Sequence, residues 1–466
     1  MQSEQQGFWT GTRLSIRGIG SLFVLFMTLL LLPGGLMNTL QAHAASYTQP
    51  IPVQYDQFWR QDTRADFSQW AMNGVEIGES DQHPVLQLAP GSPSLQCAST
   101  DIDGGAAHYD AATGLCAGTD PYPPGGYDHH INYYNGGKFY FGTTTSPVVG
   151  TKQLITTVIS SWNTATPQGT WMEVHVRVLE GNSWTHWYIL PIWANDFSTI
   201  HRHSVNHQTD KTGTVATDTF FTIGHRASAY QLRLTLFTQA PTASPAIRRI
   251  AAIASNDGSV TTYVPPDPSV WGTDLPVPQR SQMLKKYHGL GYGGGGEVWC
   301  SPTSTSMVMA YWSNVLHQQN LNQTVPDAAK GTYDFTYKGT GNWPFNTGYA
   351  ASFGLRTFVT RMYSMSQIEQ WIKAGVPIVI SIAFKKGELP GSPIPSSNGH
   401  LILVRGFAPN GDVITNDPAA KNNQEVQITY NRAALQHVWL HGSNGTVYVI
   451  YPQNWPTPTK DALGSW

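Results

Sequence analysis

The sequence predicts two domains of different class: an all-β sandwich or jelly roll over residues 46–262, followed by an α+β domain over 276–455. Three observations carry this. Segments of the first half alternate apolar and polar residues with a period of two, the mark of half-buried strands. The second half sets apolar residues at helical spacing beside short, wholly apolar runs. Between them "TTYVPPDPSVWGTDLPVP" (261–278) carries five prolines and reads as an extended linker, centred on 263–275, or a strap between domains. Residues 456–466 are left as a C-terminal tail.

The chain has 466 residues, enough for two or three domains. Only 12% of residues are charged and the formal net charge is −2, with no basic block or acidic tail. That balance argues against nucleic-acid binding and against electrostatic docking on membranes. Aromatics make up 12%, with 16 Trp, which suits a loop-rich β protein with filled cores rather than a disordered chain.

At the N-terminus Arg13 and Arg17 precede the apolar run "SLFVLFMTLLLLPGGLM" (21–37), and "AHA" ending at Ala44 matches a small-x-small cleavage site. We read residues 1–45 as a signal peptide and the protein as secreted. Pro33, Gly34 and Gly35 interrupt a run that is short for a span, so a membrane contact is expected only if this segment stays uncleaved.

In the first domain "QLITTVISSW" (153–162) reads as a strand. "TWMEVHVRVLE" (170–180) sets Met172, Val174, Val176 and Val178 against Trp171, Glu173, His175 and Arg177, a half-buried strand. After Gly181 and Asn182, "GNSWTHWYILPIWA" returns as the second arm of a hairpin. "TDTFFTIG" and "YQLRLTLFT" repeat the style. One segment, "SPAIRRIAAIAS" (244–255), reads as a short helix.

In the second domain Val308, Tyr311, Trp312 and Val315 mark a helix face within 303–320. "SQIEQWIKAG" opens with a capping box from Ser366 to Glu369 and closes at Gly375. "VPIVISIAF" (376–384) reads as a buried strand. "HLILVRGFA" and "GDVITNDPA" read as two more, joined by a Pro-Asn-Gly-Asp turn.

Three cysteines are present. Cys97 and Cys116 flank a Gly/Asp/Ala-rich loop and are expected to form a local disulfide. Cys300 is left over, which in a secreted chain points to a reactive thiol, an intermolecular link or an inert buried cysteine. It stands where four glycines (293–296) give way to a helix, with Pro302 suited to the first helical position. A thiol at a helix N-terminus meets the positive end of the backbone dipole, which favours thiolate. A nucleophile also needs a base, and the base an orienting acceptor. His400 at the start of one strand and Asp417 at the end of the next come to the same rim of an antiparallel pair. Asn416 is the alternative acceptor.

"VPQRSQ", "WCSPTSTSMVM", "IEQWIKAGVPIVISI", "NGHLILVRGF" and "NDPAA" occur in the order seen in papain-like cysteine peptidases. The sequence resembles those of the bacteriocin-processing, double-glycine type (peptidase C39-like), and more closely their secreted, transporter-free relatives. The resemblance covers roughly 275–455 and implies a papain-like cysteine peptidase domain. By that resemblance Cys300 is the nucleophile, His400 the general base and acid, Asp417 its orienting group, and Gln282 an oxyanion donor, with Gln279 in reserve. The chain departs from the pattern in two places: Ser301 follows the cysteine where many relatives have glycine, and "MLKKYHGLGYGGGGEVW" separates Gln282 from Cys300.

The resemblance implies no metal or organic cofactor. His201, His203 and His207, and the "YDHH" set of Asp128, His129 and His130, lack an HExxH helix or a cysteine ligand set and read as polar loops. The expected activity is cleavage of a peptide or protein substrate through an acyl-enzyme. The alternatives are a cell-wall peptide hydrolase or transpeptidase with the same triad, and a binding protein with an inactive peptidase fold. The aromatic-rich first domain is a candidate for contact with a cell surface or polysaccharide.

Overall fold

The computed structural model describes residues 52–53, 56–102, 106–120, 134–256, 260–261, 264–459, 461 and 463–466. The export segment and the "YDHH" set lie outside them. Among the described residues no helix is long and apolar enough to cross a membrane.

The N-terminal domain is built on β1 (Asp56–Gln61), β2 (Val75–Ser80), β3 (His83–Leu88), β4 (Lys138–Thr145), β5 (Thr157–Ala165), β6 (Thr170–Glu180), β7 (Thr219–Thr222), β8 (Ala227–Thr238) and β9 (Ala246–Ser255). One antiparallel sheet runs Gly213–Ala216, β7, β5, β9, β3, β2, with β1 also on β9; the other runs Ser183–Trp184, β6, β8, β4, Leu115–Thr119, His108–Asp110. Val158, Ile250 and Ile253 of the first share one core with Val174, Val176, Leu232 and Leu234 of the second.

Two expectations change here. β6 is buried on both faces, not one. Its outer face holds Trp171 stacked on Phe237, with centroids 5.0 Å apart, and a buried Glu173–His175 pair at 2.9 Å. Arg233, bonded to Asp101 at 2.8 Å, closes over the same face at His175. The segment read as a helix is the strand β9, paired along its length with β5 and β1. Ile247, Ile250, Ala251 and Ala254 mimic helical spacing because both faces of β9 are covered, so alternation is lost.

The disulfide joins Cys97 to Cys116 and ties the 95–102 loop to the rim of the second sheet. Replacing both cysteines with serine should lower stability by about 3 kcal/mol on the chain-entropy estimate, read as a reduced urea midpoint.

The C-terminal domain comprises α1 (Cys300–Leu316), α2 (Val325–Thr332), α3 (Trp343–Ala351), β10 (Arg356–Arg361), α4 (Met365–Lys373), β11 (Ile378–Phe384), β12 (Ser397–Phe407), β13 (Val413–Asn416), β14 (Gln427–Tyr430), α5 (Arg432–Ser443) and β15 (Thr446–Tyr451). Its antiparallel sheet runs β10-β15-β11-β12-β13-β14. α1 is buried around its whole circumference from Ser301 to Ser313, and Val315, placed on its apolar face by spacing, is 36% exposed. The helix starts at Cys300, so Pro302 is its third residue; a missing N–H is harmless anywhere in the first turn.

α4 also starts earlier than its capping-box reading. Ser364, extended at φ −152°, is the N-cap, and Gln367 reaches back to accept from the Tyr363 N–H at 2.6 Å. Glu369 is instead buried: it accepts from Arg432 Nη1 at 2.6 Å, Trp271 Nε1 at 2.8 Å and the Asp267 N–H at 2.8 Å. The helix stops as expected, with Gly375 at φ +77°.

The proline-rich segment is a strap and not a free linker. Gly272 and Leu275 donate backbone N–H bonds to Phe407 and Arg405 of β12, at 2.8 and 2.9 Å. The two domains form one compact unit. Phe345 of α3 packs on Trp162 and Trp193, and Phe358 lies 4.7 Å from Phe58. Asn163 Nδ2 donates to the Thr357 carbonyl at 2.9 Å and its Oδ1 accepts from the Thr357 N–H at 3.2 Å, so this buried carboxamide is paired across the seam.

Candidate active site

Cys300 is placed by its neighbour. Trp299 is fully buried against Val325 and Ala329, and its Nε1 donates to the Tyr292 carbonyl at 2.9 Å. This pins the glycine-rich loop to the start of α1 and leaves the following residue, Cys300, partly exposed as the one free cysteine among the described residues. Ser304 Oγ, one turn on, donates to the Leu401 carbonyl at 3.0 Å and draws α1 onto β12 beside His400.

His400 is buried on β12, opposite Ile382 of β11. Its Nε2–H donates to Asp417 Oδ1 at 2.8 Å. That leaves Nδ1 as the ring nitrogen available to Cys300, whose thiol is close enough for His400 to lower its pKa. Asp417, fully buried after β13, also accepts from Tyr430 Oη at 2.8 Å and from the Ala419 N–H at 3.0 Å. Asn416, the other candidate, faces away: its amide donates to the Pro278 carbonyl and accepts from Arg405. Successive residues of a strand point to opposite faces, so only one of the two can meet the histidine.

The electrostatics follow from this packing. Burial alone pushes the Cys300 thiol up, but His400 and the N–H groups of Leu401 and Ser301 outweigh it and hold the thiol below its usual value. Burial opposes protonation of His400; the Asp417 carboxylate, then Cys300, overcome it and raise the imidazole to about 10. Asp417 is held below the carboxylate range by His400 and Tyr430, against its own burial. The two shifts on Cys300 and His400 favour a thiolate–imidazolium pair.

Gln282 is brought back by the glycine-rich loop. A side chain on Gly296 would sit 2.1 Å from the Gln282 carbonyl oxygen, so only glycine lets the two backbones touch. The "RSQ" segment is sewn down by Arg280 on the Gln323 carbonyl, Ser281 on Asn423 and the Gln282 N–H on the Pro418 carbonyl at 2.9 Å. The Gln282 carboxamide is buried, and its Oε1 has no hydrogen-bond partner among the described residues. Gln279 is committed elsewhere, donating to Gln427 at 3.1 Å. Ser301 is absorbed by Tyr448, whose hydroxyl lies 2.9 Å from Ser301 Oγ.

The sequence did not single out Tyr430, Tyr337 or Val298. Tyr430 had no motif to mark it, since its role depends on β14 pairing with β13. Tyr337 is 51% exposed and Val298 is 49% exposed. Gly293 closes on the Lys338 carbonyl and the Val298 side chain together, with an added Cβ falling 3.1 and 3.5 Å from them. Thr340 Oγ1 also donates to the Val298 carbonyl at 3.3 Å. Asp334 fixes this wall by accepting from the Thr336 and Tyr337 N–H groups, and from Ser204 N–H of the N-terminal domain, at 3.0, 3.0 and 3.1 Å.

The histidine-rich loop is partly buried: His207 is exposed, whereas its first half packs inward. His203 is buried, its Nδ1 2.6 Å from the His201 carbonyl, and His201 stacks on Phe335 with centroids 3.9 Å apart. Between them Arg202 is buried and donates across the seam to the Lys330 carbonyl at 2.9 Å. Among the described residues no group of three or more His, Cys, Asp or Glu is disposed to hold a metal ion.

Residues 57–255 match the model of the peptidase C39 N-terminal domain, and residues 274–447 match that of the peptidase C39-like family. With both domains in order, the chain belongs to the C39-like peptidases. Such membership points to peptidase activity on a peptide or protein, most simply of the cysteine type. A crystal structure of a C39-like peptidase from Bacillus anthracis is similar at 13% identity, over 34% of this chain and 91% of that one, with a TM-score of 0.26. That structural likeness is too slight to carry an argument. No curated protein matches the chain.

Proposed function

We propose that the protein is a secreted, papain-like cysteine peptidase acting through Cys300, His400 and Asp417. The observation that carries this is the buried His400–Asp417 bond beside a free, partly exposed cysteine at a helix N-terminus, whose thiol pKa His400 lowers. The Cys300 thiolate attacks the scissile carbonyl, and a tetrahedral oxyanion forms. The Gln282 Nε2 and the Cys300 N–H, which has no partner within its helix, stabilise that charge. His400 then gives its proton to the leaving amine. Water, deprotonated by His400, releases the acyl-enzyme. The Cys97–Cys116 disulfide supports an oxidising compartment.

Casein and peptidoglycan fragments offered side by side test the reading. Turnover of casein, lost in Cys300→Ala, is the expected result. Turnover of the fragments alone moves the assignment to a cell-wall peptide hydrolase or transpeptidase with the same triad. No turnover, with an unreactive Cys300, leaves the binding-protein reading.

Two expected outcomes refine it. Gln282→Ala lowers kcat by about 100-fold with little change in KM, because its amide serves the oxyanion and not the ground state. Tyr337 and Val298 form an apolar wall for substrate beside the nucleophile. Tyr337→Ala raises KM by about tenfold, roughly 1.4 kcal/mol of lost apolar burial, in steady-state assays on the cleaved peptide.

A further inference from the structure

We propose that the seam between the two domains, remote from the triad, contains a binding site for a compact oxyanion: a phosphate or carboxylate group. A cleft of about 560 Å³, open mouth included, lies between the end of β9 and the turn from α3 into β10. It is lined by Asp62, His83, Arg248 and Arg249 from one domain and by Gly354 and Arg356 from the other.

The charges there do not balance. Arg60, Arg249 and Arg356 converge on one oxygen, Asp62 Oδ2, at 3.5, 2.6 and 3.5 Å. Arg248 pairs with Asp81. Three guanidinium groups, Arg248, Arg249 and Arg356, thus line the cleft with one carboxylate, Asp62, in a chain where charged residues are scarce. Asp62 is spanned by three cations, so it does not repel an incoming anion as a lone carboxylate would.

Donors are also left over. Arg248 Nε is buried with no hydrogen-bond partner, and Arg356 reaches Asp62 only at ion-pair distance. Unpaired donors at a desolvated site are costly, and the guanidinium fork matches the oxygens of phosphate and carboxylate. The rim is open: Gly354 is exposed, and at its φ of +89° a Cβ would meet nothing within 4 Å. Burial and the Arg249 charge depress the Arg356 guanidinium, a repulsion that a bound anion relieves. Since its arginines come from both domains, an occupant holds the domains together.

The test is calorimetry and thermal unfolding of the full mature chain in inorganic phosphate, in citrate, and in chloride at matched ionic strength. Phosphate or citrate should raise the melting temperature by a few degrees beyond chloride. Response to phosphate alone assigns a phosphate site, and response to citrate alone a carboxylate site. Arg356→Gln and Arg248→Gln should each weaken binding about tenfold or more. Arg356→Lys keeps the charge without the fork and should still weaken it several-fold, which separates lost recognition from lost folding. No stabilisation beyond chloride, or unchanged affinity in Arg356→Lys and both glutamine variants, overturns the proposal.

Discussion

In His400→Ala, alkylation of Cys300 at pH 6 slows by about two orders of magnitude relative to the wild type. The sign follows from the site. Burial alone disfavours the thiolate, and His400 is the largest group opposing it. Without the imidazole, the thiol returns toward or above its usual value near 8.5 and little thiolate remains at pH 6. In the wild type the reactive form should persist well to the acid side of that value. At high pH the pair is lost as His400 releases its proton, near 10. Labelling by iodoacetamide across pH 4–9, with the modified residue mapped by mass spectrometry, reads the effect directly. In Cys300→Ser, peptide turnover should fall by about 10⁴-fold or more, since the triad acts as a unit and the weaker nucleophile cannot use the ion pair. Equal labelling rates in wild type and His400→Ala would overturn the catalytic assignment.

Glu369→Ala should destabilise the protein by about 3–5 kcal/mol, measured by urea unfolding. Glu369 is fully buried and binds Arg432 of α5, Trp271 and Asp267 of the strap through both of its oxygens. Removing it leaves the Arg432 guanidinium buried beside Ser366 and the Gly411 carbonyl without its carboxylate. Glu369→Gln keeps an acceptor for the Trp271 indole but loses the charge, so it should fall between. If Glu369→Ala unfolds at the wild-type midpoint, the strap is not held in the way described.

Several parts of this arrangement were legible in the residues. Alternation from 170 to 180 located a strand, although not that its polar face is also covered. That face is closed by the 95–102 loop, which lies far away in sequence. Apolar spacing placed α1, whereas its exposed Val315 depended on where neighbouring elements end. β9 was misread because burial on both faces erases the period of two on which strand reading rests. The capping box failed for a similar reason. A Ser-x-x-Glu pattern is local, but a buried arginine from α5 claimed the glutamate.

By itself, the sequence marked the candidate nucleophile and base and narrowed the acceptor to Asn416 or Asp417, because these residues stand in short motifs whose local structure is strong. It also determined the Cys97–Cys116 pairing, since only one cysteine pair closes a short loop. Tertiary structure alone decided which of Asn416 and Asp417 faces the histidine and which glutamine keeps an unpartnered amide oxygen. It also placed Tyr430 on Asp417 and packed the proline-rich strap and the first half of the histidine-rich loop into the body of the protein. Those outcomes depend on strand register, on the close approach of Gly296 to Gln282, and on partners from the other domain. Long-range packing sets all three, and no local pattern encodes it.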